Sequence, residues 1–265
     1  MVREFAHKNY WALILGGSQG LGLATAKKLA QHGMHICIVH RTRRTDLAQI
    51  EREFALIAKE EVELLHYNVD ALKGEKRGEV MAALKAHLGE DGKVRALVHS
   101  IAKGNLKPMA GEDQPHLSND DFHLTLEAMA ISVYDWTKAL LHARLFAVDA
   151  RVLSFTSEGS SRAWKNYAAV AAAKAALEAI TRSMALEFAP SGVRANCILA
   201  GVTDTASLRK IPNHETLMHH SRQRNPFRRL TTPQDVANVV YLLCKDEAAW
   251  INGAVIPVDG GEHVR

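Results

Sequence analysis

The chain has 265 residues, of which 47% are hydrophobic and 23% charged, and its net charge is +4. This composition is typical of a globular protein, and the length suits one large α/β core. The charge is too small and too dispersed to indicate nucleic-acid binding. The sequence has no apolar run of about 18 residues that would predict a membrane span, and the opening stretch lacks the apolar segment of a signal peptide.

Cysteine and histidine usage limits the possible chemistry further. Cys37, Cys197 and Cys244 lie far apart within apolar runs, which favours buried free thiols in a reducing compartment and predicts a cytoplasmic protein. None of the 14 histidines has metal-ligand spacing. The neighbours His219 and His220 would point to different faces of a helix, so we expect no metal site.

Short apolar runs alternate along the chain with segments whose apolar residues recur every three to four positions. The runs predict strands at residues 11–15, 35–39, 62–67, 96–98, 151–155, 194–199 and 254–258. The periodic segments predict helices at residues 21–32, 46–59, 76–88, 120–144, 167–188 and 233–243. This alternation predicts an α/β fold, a doubly wound and mainly parallel sheet of about seven strands in a single domain.

Two stretches are less regular than the rest. Residues 102–119 follow the fourth strand, and residues 202–225 follow the sixth, with one or two short helices possible in the second stretch. Open α/β sheets bind ligands at the carboxyl ends of their strands, so both stretches are expected to wall a substrate cleft, the second as a lid. The alternative is an ordinary solvent-exposed connection.

A glycine-rich turn separates the first strand from the first helix. Gly16 would permit a tight turn, Gly20 would let the backbone approach a pyrophosphate, and Gly22 would let the helix pack closely on the sheet. The free N–H groups of the helix N-terminus suit a phosphate. The pattern predicts a dinucleotide site of the Rossmann type.

The residues after the second strand bear on the choice of nicotinamide cofactor. An NAD site usually has an acidic residue there to bind the ribose hydroxyl. The sequence has Arg41, Thr42, Arg43 and Arg44 instead, and the first acid that follows is Asp46. Arginine suits a 2′-phosphate, which favours NADPH over NADH; the alternative is a solvated basic loop.

Ser157, Tyr167 and Lys174 lie at the end of the fifth strand and on the helix after it. Their order resembles that of the short-chain dehydrogenase/reductases, and the resemblance extends over nearly the whole chain. The wider family has the tyrosine four positions before the lysine, whereas here the interval is seven. This spacing, with the run from His99 to Ala102, resembles the enoyl-acyl-carrier-protein reductases, and the second half is most similar to their NADPH-using, triclosan-tolerant bacterial form.

Seven residues return a helical side chain to within about 20° of its starting direction, so Tyr167 and Lys174 would share one face. The resemblance implies that Lys174 holds the nicotinamide ribose and that Tyr167 donates to an enolate oxygen. Ser157 would contact the substrate oxygen or support Tyr167. Ser132 stands where ketone reductases have a proton-relay asparagine, which puts that relay in doubt.

The resemblance also implies the remaining cofactor contacts, at five strand ends and on the helix of Lys174. They are Gly16, Ser18, Gln19, Gly20, Leu21 and Gly22; Arg41, Thr42 and Arg43; Asn68 and Val69; Ser100, Ile101 and Ala102; Lys174; and Gly201, Thr203 and Thr205.

The predicted activity is NADPH-dependent reduction of trans-2-enoyl thioesters in fatty-acid synthesis, on acyl-carrier protein or coenzyme A. A ketone or aldehyde reductase acting on 3-oxoacyl thioesters, and a non-catalytic NADP(H) sensor, stay open as alternatives. Six positive charges between Arg209 and Arg229 are expected to steer an acidic carrier protein. Family resemblance and the apolar segments 236–244 and 254–258 predict a homotetramer.

Overall fold

The computed structural model describes residues 2–111 and 115–265. Its strands are β1 (Tyr10–Leu15), β2 (His35–His40), β3 (Leu64–Asn68), β4 (Lys93–His99), β5 (Phe146–Thr156), β6 (Val193–Ala200) and β7 (Val255–Val258). Its α-helices are α1 (Gly20–Gln31), α2 (Leu47–Ala58), α3 (Gly74–Leu88), α4 (Asn119–Leu126), α5 (Ser132–Ala143), α6 (Ala168–Glu187), α7 (His214–Arg224) and α8 (Pro233–Cys244).

The seven strands form one sheet in the order β3-β2-β1-β4-β5-β6-β7, and every pair is parallel. The chain order reverses at β1, so β1 and β4 are neighbours, with Leu13 opposite Leu97. A crevice opens at such a switch point outside the carboxyl ends of the strands. The prediction of a doubly wound α/β sheet is confirmed, and the sheet is wholly parallel.

The helices cover both faces of the sheet because successive side chains of a buried strand point to opposite sides. Trp11, Leu13 and Leu15 of β1 pack in one layer with α3, α5 and α6. Ala12 and Ile14 of the same strand pack in the other layer with α1, α2 and α8. Two apolar cores therefore hold the strand ends at fixed positions.

All seven predicted strands are present, and β5 differs most from its prediction. It begins at Phe146, five residues before the predicted start, and includes Asp149. A charged residue within a strand gives no apolar signal, so the hydrophobic pattern locates only the inner part. Among the residues that the structure describes, no helix has the length and hydropathy to cross a membrane.

The predicted helix over residues 120–144 is present as one uninterrupted helical segment from Asn119 to Ala143, but it is not α-helical throughout. A π-helical turn at Glu127–Ile131 separates α4 from α5. The Oγ of Ser132 donates to the carbonyl of Ala128 at 2.9 Å, so the side chain bonds back along the distorted turn. Turns of this kind often mark functional sites, and Met129 from this one lines the cleft described below.

Both irregular stretches lie beside the carboxyl edge of the sheet. In the second, a short turn at Leu208–Lys210 precedes α7, which is the one short α-helix realised there. In the first, Ala102 to Leu106 contribute to the cleft wall. The part of that predicted wall at residues 112–114 lies outside the described residues.

Candidate active site

A cleft of about 800 Å³ opens at the carboxyl ends of β1, β2, β4, β5 and β6. Most of the residues proposed from the sequence line it: Gly16, Ser18, Gln19, Gly20, Leu21, Arg41, Thr42, Arg43, Val69, Ser100, Ile101, Ala102, Ser157, Tyr167, Lys174, Gly201, Thr203 and Thr205. Gly22 and Asn68 do not line it. The fold thus brings together side chains from six separate parts of the sequence.

The turn between β1 and α1 depends on the absence of side chains at two glycines. Gly16 has φ +82°, and a Cβ there would lie 2.5 Å from the carbonyl oxygen of Ser100. A Cβ at Gly22 would lie 2.5 Å from the carbonyl oxygen of Gly16. Gly22 is therefore required for packing, although it does not line the cleft. The residue before α1, Gln19, makes no side-chain cap, so the first N–H groups of the helix face the cleft uncapped.

The basic loop after β2 is held by groups from β3. The backbone N–H of Thr42 donates to Asn68 Oδ1 at 2.9 Å, and Asn68 Nδ2 donates to the carbonyl of Thr42 at 3.2 Å. Asn68 thus positions the loop instead of lining the cleft. Arg41 Nη1 donates to Asp70 Oδ2 at 3.0 Å. Sequence reasoning missed this contact because it considered only acids that follow β2 directly.

His40, at the end of β2, also lines the cleft. Its Nδ1 lies 2.7 Å from Thr42 Oγ1. Burial, with a smaller effect of the charge on His66, lowers the pKa of His40 to about 4, so the ring is neutral near pH 7. The ring therefore adds no positive charge to the basic loop.

Lys174 lies on α6 and is hydrogen-bonded to the end of β5. Its Nζ donates to the carbonyl of Phe155 at 2.6 Å. Burial lowers the pKa of Lys174 to about 8, against the opposing effect of Cys197 and Glu178. Most of the ammonium groups are still protonated near pH 7, so a fixed positive charge faces the middle of the cleft.

Tyr167 stands directly before α6 and is 8% exposed. Burial raises the pKa of its phenol, and the Ser157 hydroxyl opposes the effect only in part. The phenol is therefore a hydrogen-bond donor near pH 7. Ser157 Oγ is buried and makes no well-aligned hydrogen bond to any described residue. A substrate oxygen would supply the well-aligned hydrogen bond that this buried hydroxyl lacks.

Gly159 is a site residue that sequence reasoning missed. A Cβ at this position would lie 2.6 Å from Cε1 of Tyr167 and 3.3 Å from Ser157 Oγ. The tyrosine ring thus packs directly on the backbone of the turn that follows Ser157. The only signal in the sequence was a glycine between the two proposed catalytic residues.

An apolar pocket extends from Tyr167 away from the glycine turn. Tyr167, Met129 and Val170 belong to one buried cluster, and Leu106, Trp164 and Ile211 pack against it. The Trp164 ring lies 5.3 Å from that of Tyr167, centroid to centroid. The cleft therefore has a polar half suited to a dinucleotide and an apolar half suited to a hydrocarbon chain.

Ser132 lies behind this pocket and does not line the cleft. It is fully buried, and its Oγ is 2.8 Å from Nε2 of His99. Burial, together with the nearby charge of Lys174, lowers the pKa of His99 to about 3. His99 is therefore neutral and bridges the π-helical turn to the carboxyl end of β4.

Five of the six basic residues between Arg209 and Arg229 are exposed, and Arg224 is the exception. Arg224 is turned inward and bonds to Glu158 and Glu262. Arg209 bonds to Asp204 at 2.8 and 3.0 Å, and Arg229 bonds to Asp235. Lys210, Arg222 and Arg228 are exposed and form no ion pair with another described residue.

The donor set of the polar half fits a nicotinamide dinucleotide: an uncapped helix N-terminus, a glycine turn, a basic loop and a buried lysine. The fold and cleft together define an NAD(P)H-dependent oxidoreductase of the Rossmann type. Residues 16–263 match the family model described as Enoyl-(Acyl carrier protein) reductase. The chain therefore belongs to this branch of the short-chain dehydrogenase/reductases.

Three relatives show the range of proteins that this chain resembles. Oxidoreductase UcpA of Salmonella typhimurium is 29% identical, covering 94% of this chain and 93% of its own. The peroxisomal 2,4-dienoyl-CoA reductase of Mus musculus is 28% identical, covering 94% and 82%. The crystal structure of the enoyl-[acyl-carrier-protein] reductase (NADH) of Aquifex aeolicus is 26% identical, with a TM-score of 0.83 and 98% of each chain covered.

Proposed function

We propose that this protein is an NADPH-dependent reductase of trans-2-enoyl thioesters in fatty-acid synthesis. The observation that carries the proposal is that Tyr167 and Lys174, seven residues apart, line one cleft where its polar and apolar halves meet. In ketone reduction the hydride and the proton go to adjacent atoms. In enoyl reduction the hydride goes to the β-carbon, whereas the negative charge gathers on the more distant thioester oxygen.

The residues of the cleft have distinct roles in this reaction. When bound, the reduced nicotinamide supplies the hydride. Lys174 holds the ribose hydroxyls and adds positive charge near the developing enolate. Tyr167 donates a hydrogen bond to the enolate oxygen and is the proposed general acid. Ser157 contacts the same oxygen, and the apolar half takes the acyl chain.

The choice of NADPH rests on the basic loop after β2. Arg41, Thr42 and Arg43 line the cleft, and arginine forks suit a phosphate. Asp70 beside Arg41 is the feature that favours NADH, because it places a carboxylate near the same ribose. The NADPH proposal therefore requires that Arg41 or Arg43 binds the 2′-phosphate more strongly than Asp70 repels it.

A turnover assay tests the proposed function. Purified protein would be given crotonyl-coenzyme A, crotonyl-acyl-carrier protein and a 3-oxoacyl thioester, each with NADPH and with NADH. We expect NADPH oxidation with both crotonyl thioesters and little with the 3-oxoacyl compound. Faster reduction of the 3-oxoacyl thioester would make the protein a ketone reductase, and NADPH binding without turnover would make it a sensor.

The carrier protein, the cytoplasmic location and the tetramer belong to the same proposal. The exposed residues Lys210, Arg222 and Arg228, which form no ion pair with a described residue, support carrier docking, and three buried cysteines suit a reducing compartment. The apolar segment 236–244 no longer supports assembly, because Val236 and Val240 are buried in the chain's own core. The neighbouring exposed side chains of Trp250 and Ile251, just before the edge strand β7, support it instead. Light scattering that finds only a 29.2 kDa species would exclude the tetramer.

A further inference from the structure

A buried ion cluster joins the end of α7, which lies in the predicted lid, to the turn that follows Ser157. Arg224, the last residue of α7, donates from Nη1 to Glu158 Oε1 at 3.0 Å and from Nη2 to Glu262 Oε1 at 2.9 Å. Nη2 also donates to Glu158 Oε2, so the pairing with Glu158 is two-pronged. Forked bonds of this kind fix geometry as well as distance.

The cluster lies inside the protein and at the wall of the cleft. The side chains of Arg224, Glu158 and Glu262 are 12%, 17% and 3% exposed, and all three residues line the cleft. Burying such charges costs desolvation energy that their attraction often fails to recover. General stabilisation of the fold is therefore a weak reason for this cluster to exist, and a fixed geometry is a stronger one.

The position of Glu158 shows which geometry the cluster would fix. Glu158 stands between Ser157 and Gly159, and Gly159 is the residue on which the Tyr167 ring packs. The turn that begins at Glu158 is short, with the Ser160 N–H donating to the carbonyl of Ser157 at 3.0 Å. A shift of the Glu158 side chain would therefore move Ser157 and the support of Tyr167 together.

We propose that Arg224 is a positioning residue: through Glu158 it holds the Ser157–Gly159 turn where Ser157 and Tyr167 meet the substrate. The inference rests on the proposed function for its kinetic consequences, but its structural part can be tested separately. Arg224 acts through Glu158 and is not a catalytic residue. The same bonds connect the end of α7 to the Ser157–Gly159 turn.

The kinetic test compares Arg224→Met, Arg224→Lys and the triple variant Arg224→Met/Glu158→Gln/Glu262→Gln. Arg52→Met, on the exposed face of α2, is the control. Misplacement by about 1 Å can cost about 10²-fold in rate, so we expect kcat with crotonyl-coenzyme A to fall about 10- to 100-fold in Arg224→Met and in the triple variant. The KM for NADPH should stay within about threefold, and Arg224→Lys should recover part of kcat.

The triple variant separates positioning from stability, because replacing a buried ion cluster as a whole is often neutral for folding. It removes the charges of all three buried members and leaves only the half-exposed Arg162, whose Nη1 donates to Glu158 Oε1 at 3.1 Å in the wild type. It should melt close to the wild type and still turn over slowly. Wild-type kcat in a folded triple variant would overturn the proposal. A loss of kcat in Arg224→Met that follows only the unfolded fraction would overturn it as well.

Hydrogen exchange of residues 157–162 needs no substrate and tests the positioning directly. The N–H groups of Ser160, Ser161 and Arg162 bond to the carbonyls of Ser157 and Glu158. They should exchange faster in Arg224→Met and in the triple variant, and their exchange rates should be unchanged in Arg52→Met. Unchanged exchange in all variants would overturn the positioning role. Faster exchange in a protein that reduces no enoyl thioester would support it and overturn only the proposed function.

Discussion

At the scale of single residues, the environments of Tyr167 and Lys174 suit different tasks. Tyr167 is enclosed by apolar side chains and by the Gly159 backbone, so its phenol stays neutral. Lys174 is buried yet bonded to a carbonyl oxygen, so it keeps its charge near pH 7 with a pKa of about 8. The N-cap residue of α6 therefore presents a neutral donor, and the second turn of the helix presents a fixed cation, to one cleft.

Tyr167→Phe and Lys174→Ala should each lower kcat with crotonyl-coenzyme A by about 10²–10³-fold, as is typical when a donor to a developing oxyanion is lost. Lys174→Ala should also raise the Kd of NADPH, because a ribose contact disappears. Tyr134→Phe, on the partly exposed face of α5, is the control and should behave as wild type. Steady-state rates and fluorescence titration measure both effects. Activity within tenfold of wild type in both variants would contradict the assignment.

At the scale of elements, single side chains from one strand hold the loops of another. Asn68 holds the loop after β2, and Asn196 in β6 bonds to the backbone at Ile251 and Ala254 beside β7. Such contacts explain why Asn68, which the family resemblance singles out, does not itself line the cleft. The loop after β2 is the element whose chemistry decides between the two nicotinamide cofactors.

The double variant Arg41→Ala/Arg43→Ala should raise the KM for NADPH at least tenfold and change that for NADH little, because only NADPH carries the 2′-phosphate. Arg44→Ala is the matched control, since Arg44 is exposed on the same loop and does not line the cleft. Initial rates with both cofactors at a fixed enoyl thioester concentration measure the effect. Equal changes in the KM values for NADPH and NADH would show that the arginines do not bind the 2′-phosphate.

At the scale of the whole molecule, the two ends of the parallel strands carry different features. The cleft lies at the carboxyl ends of the strands, whereas an ion network around Asp149 lies toward their amino ends. Arg95, Arg151 and Arg194 all bond to this carboxylate, and the first two are 1% exposed. Arg95 and Arg151 also donate to the carbonyls of Cys244 and Leu243, which end α8. The network thus anchors α8 to the sheet.

Asp149→Ala should destabilise the protein by about 3–5 kcal/mol, because it leaves the buried Arg151 without its carboxylate, while Arg95 keeps only its pairing with Asp246. Thermal melting should show a Tm lower by roughly 6–20 °C, whereas the exposed Asp91→Ala control should melt as wild type. Burial raises the pKa of Asp149, but the arginines lower it more, so the net shift is downward. Its stabilising contribution is therefore present above the unfolded pKa and lost as the pH falls through the folded pKa. The Tm values of the variant and the wild type should converge at acidic pH. Equal Tm values at pH 7 would contradict the prediction.

The sequence by itself determined most of the secondary-structure elements, the doubly wound sheet and 18 of the residues that line the cleft. Each of these depends on local signals: apolar runs, helical periodicity, a glycine turn between a strand and a helix, and the Tyr167 to Lys174 interval. The carboxyl ends of parallel strands meet at one edge, so residues placed there by sequence are brought together by the topology alone.

Only the tertiary structure decided which charged groups meet. Arg224 pairs with residues 66 and 38 positions away, and Arg41 pairs with an acid that follows β3. Asp149 pairs with Arg95 and Arg194 from the two neighbouring strands. No local pattern encodes such contacts, because they depend on how loops and strand ends pack after the sheet has formed. For that reason the sequence did not show that Arg224 belongs to a buried ion cluster, whereas the other five basic residues of that stretch are exposed.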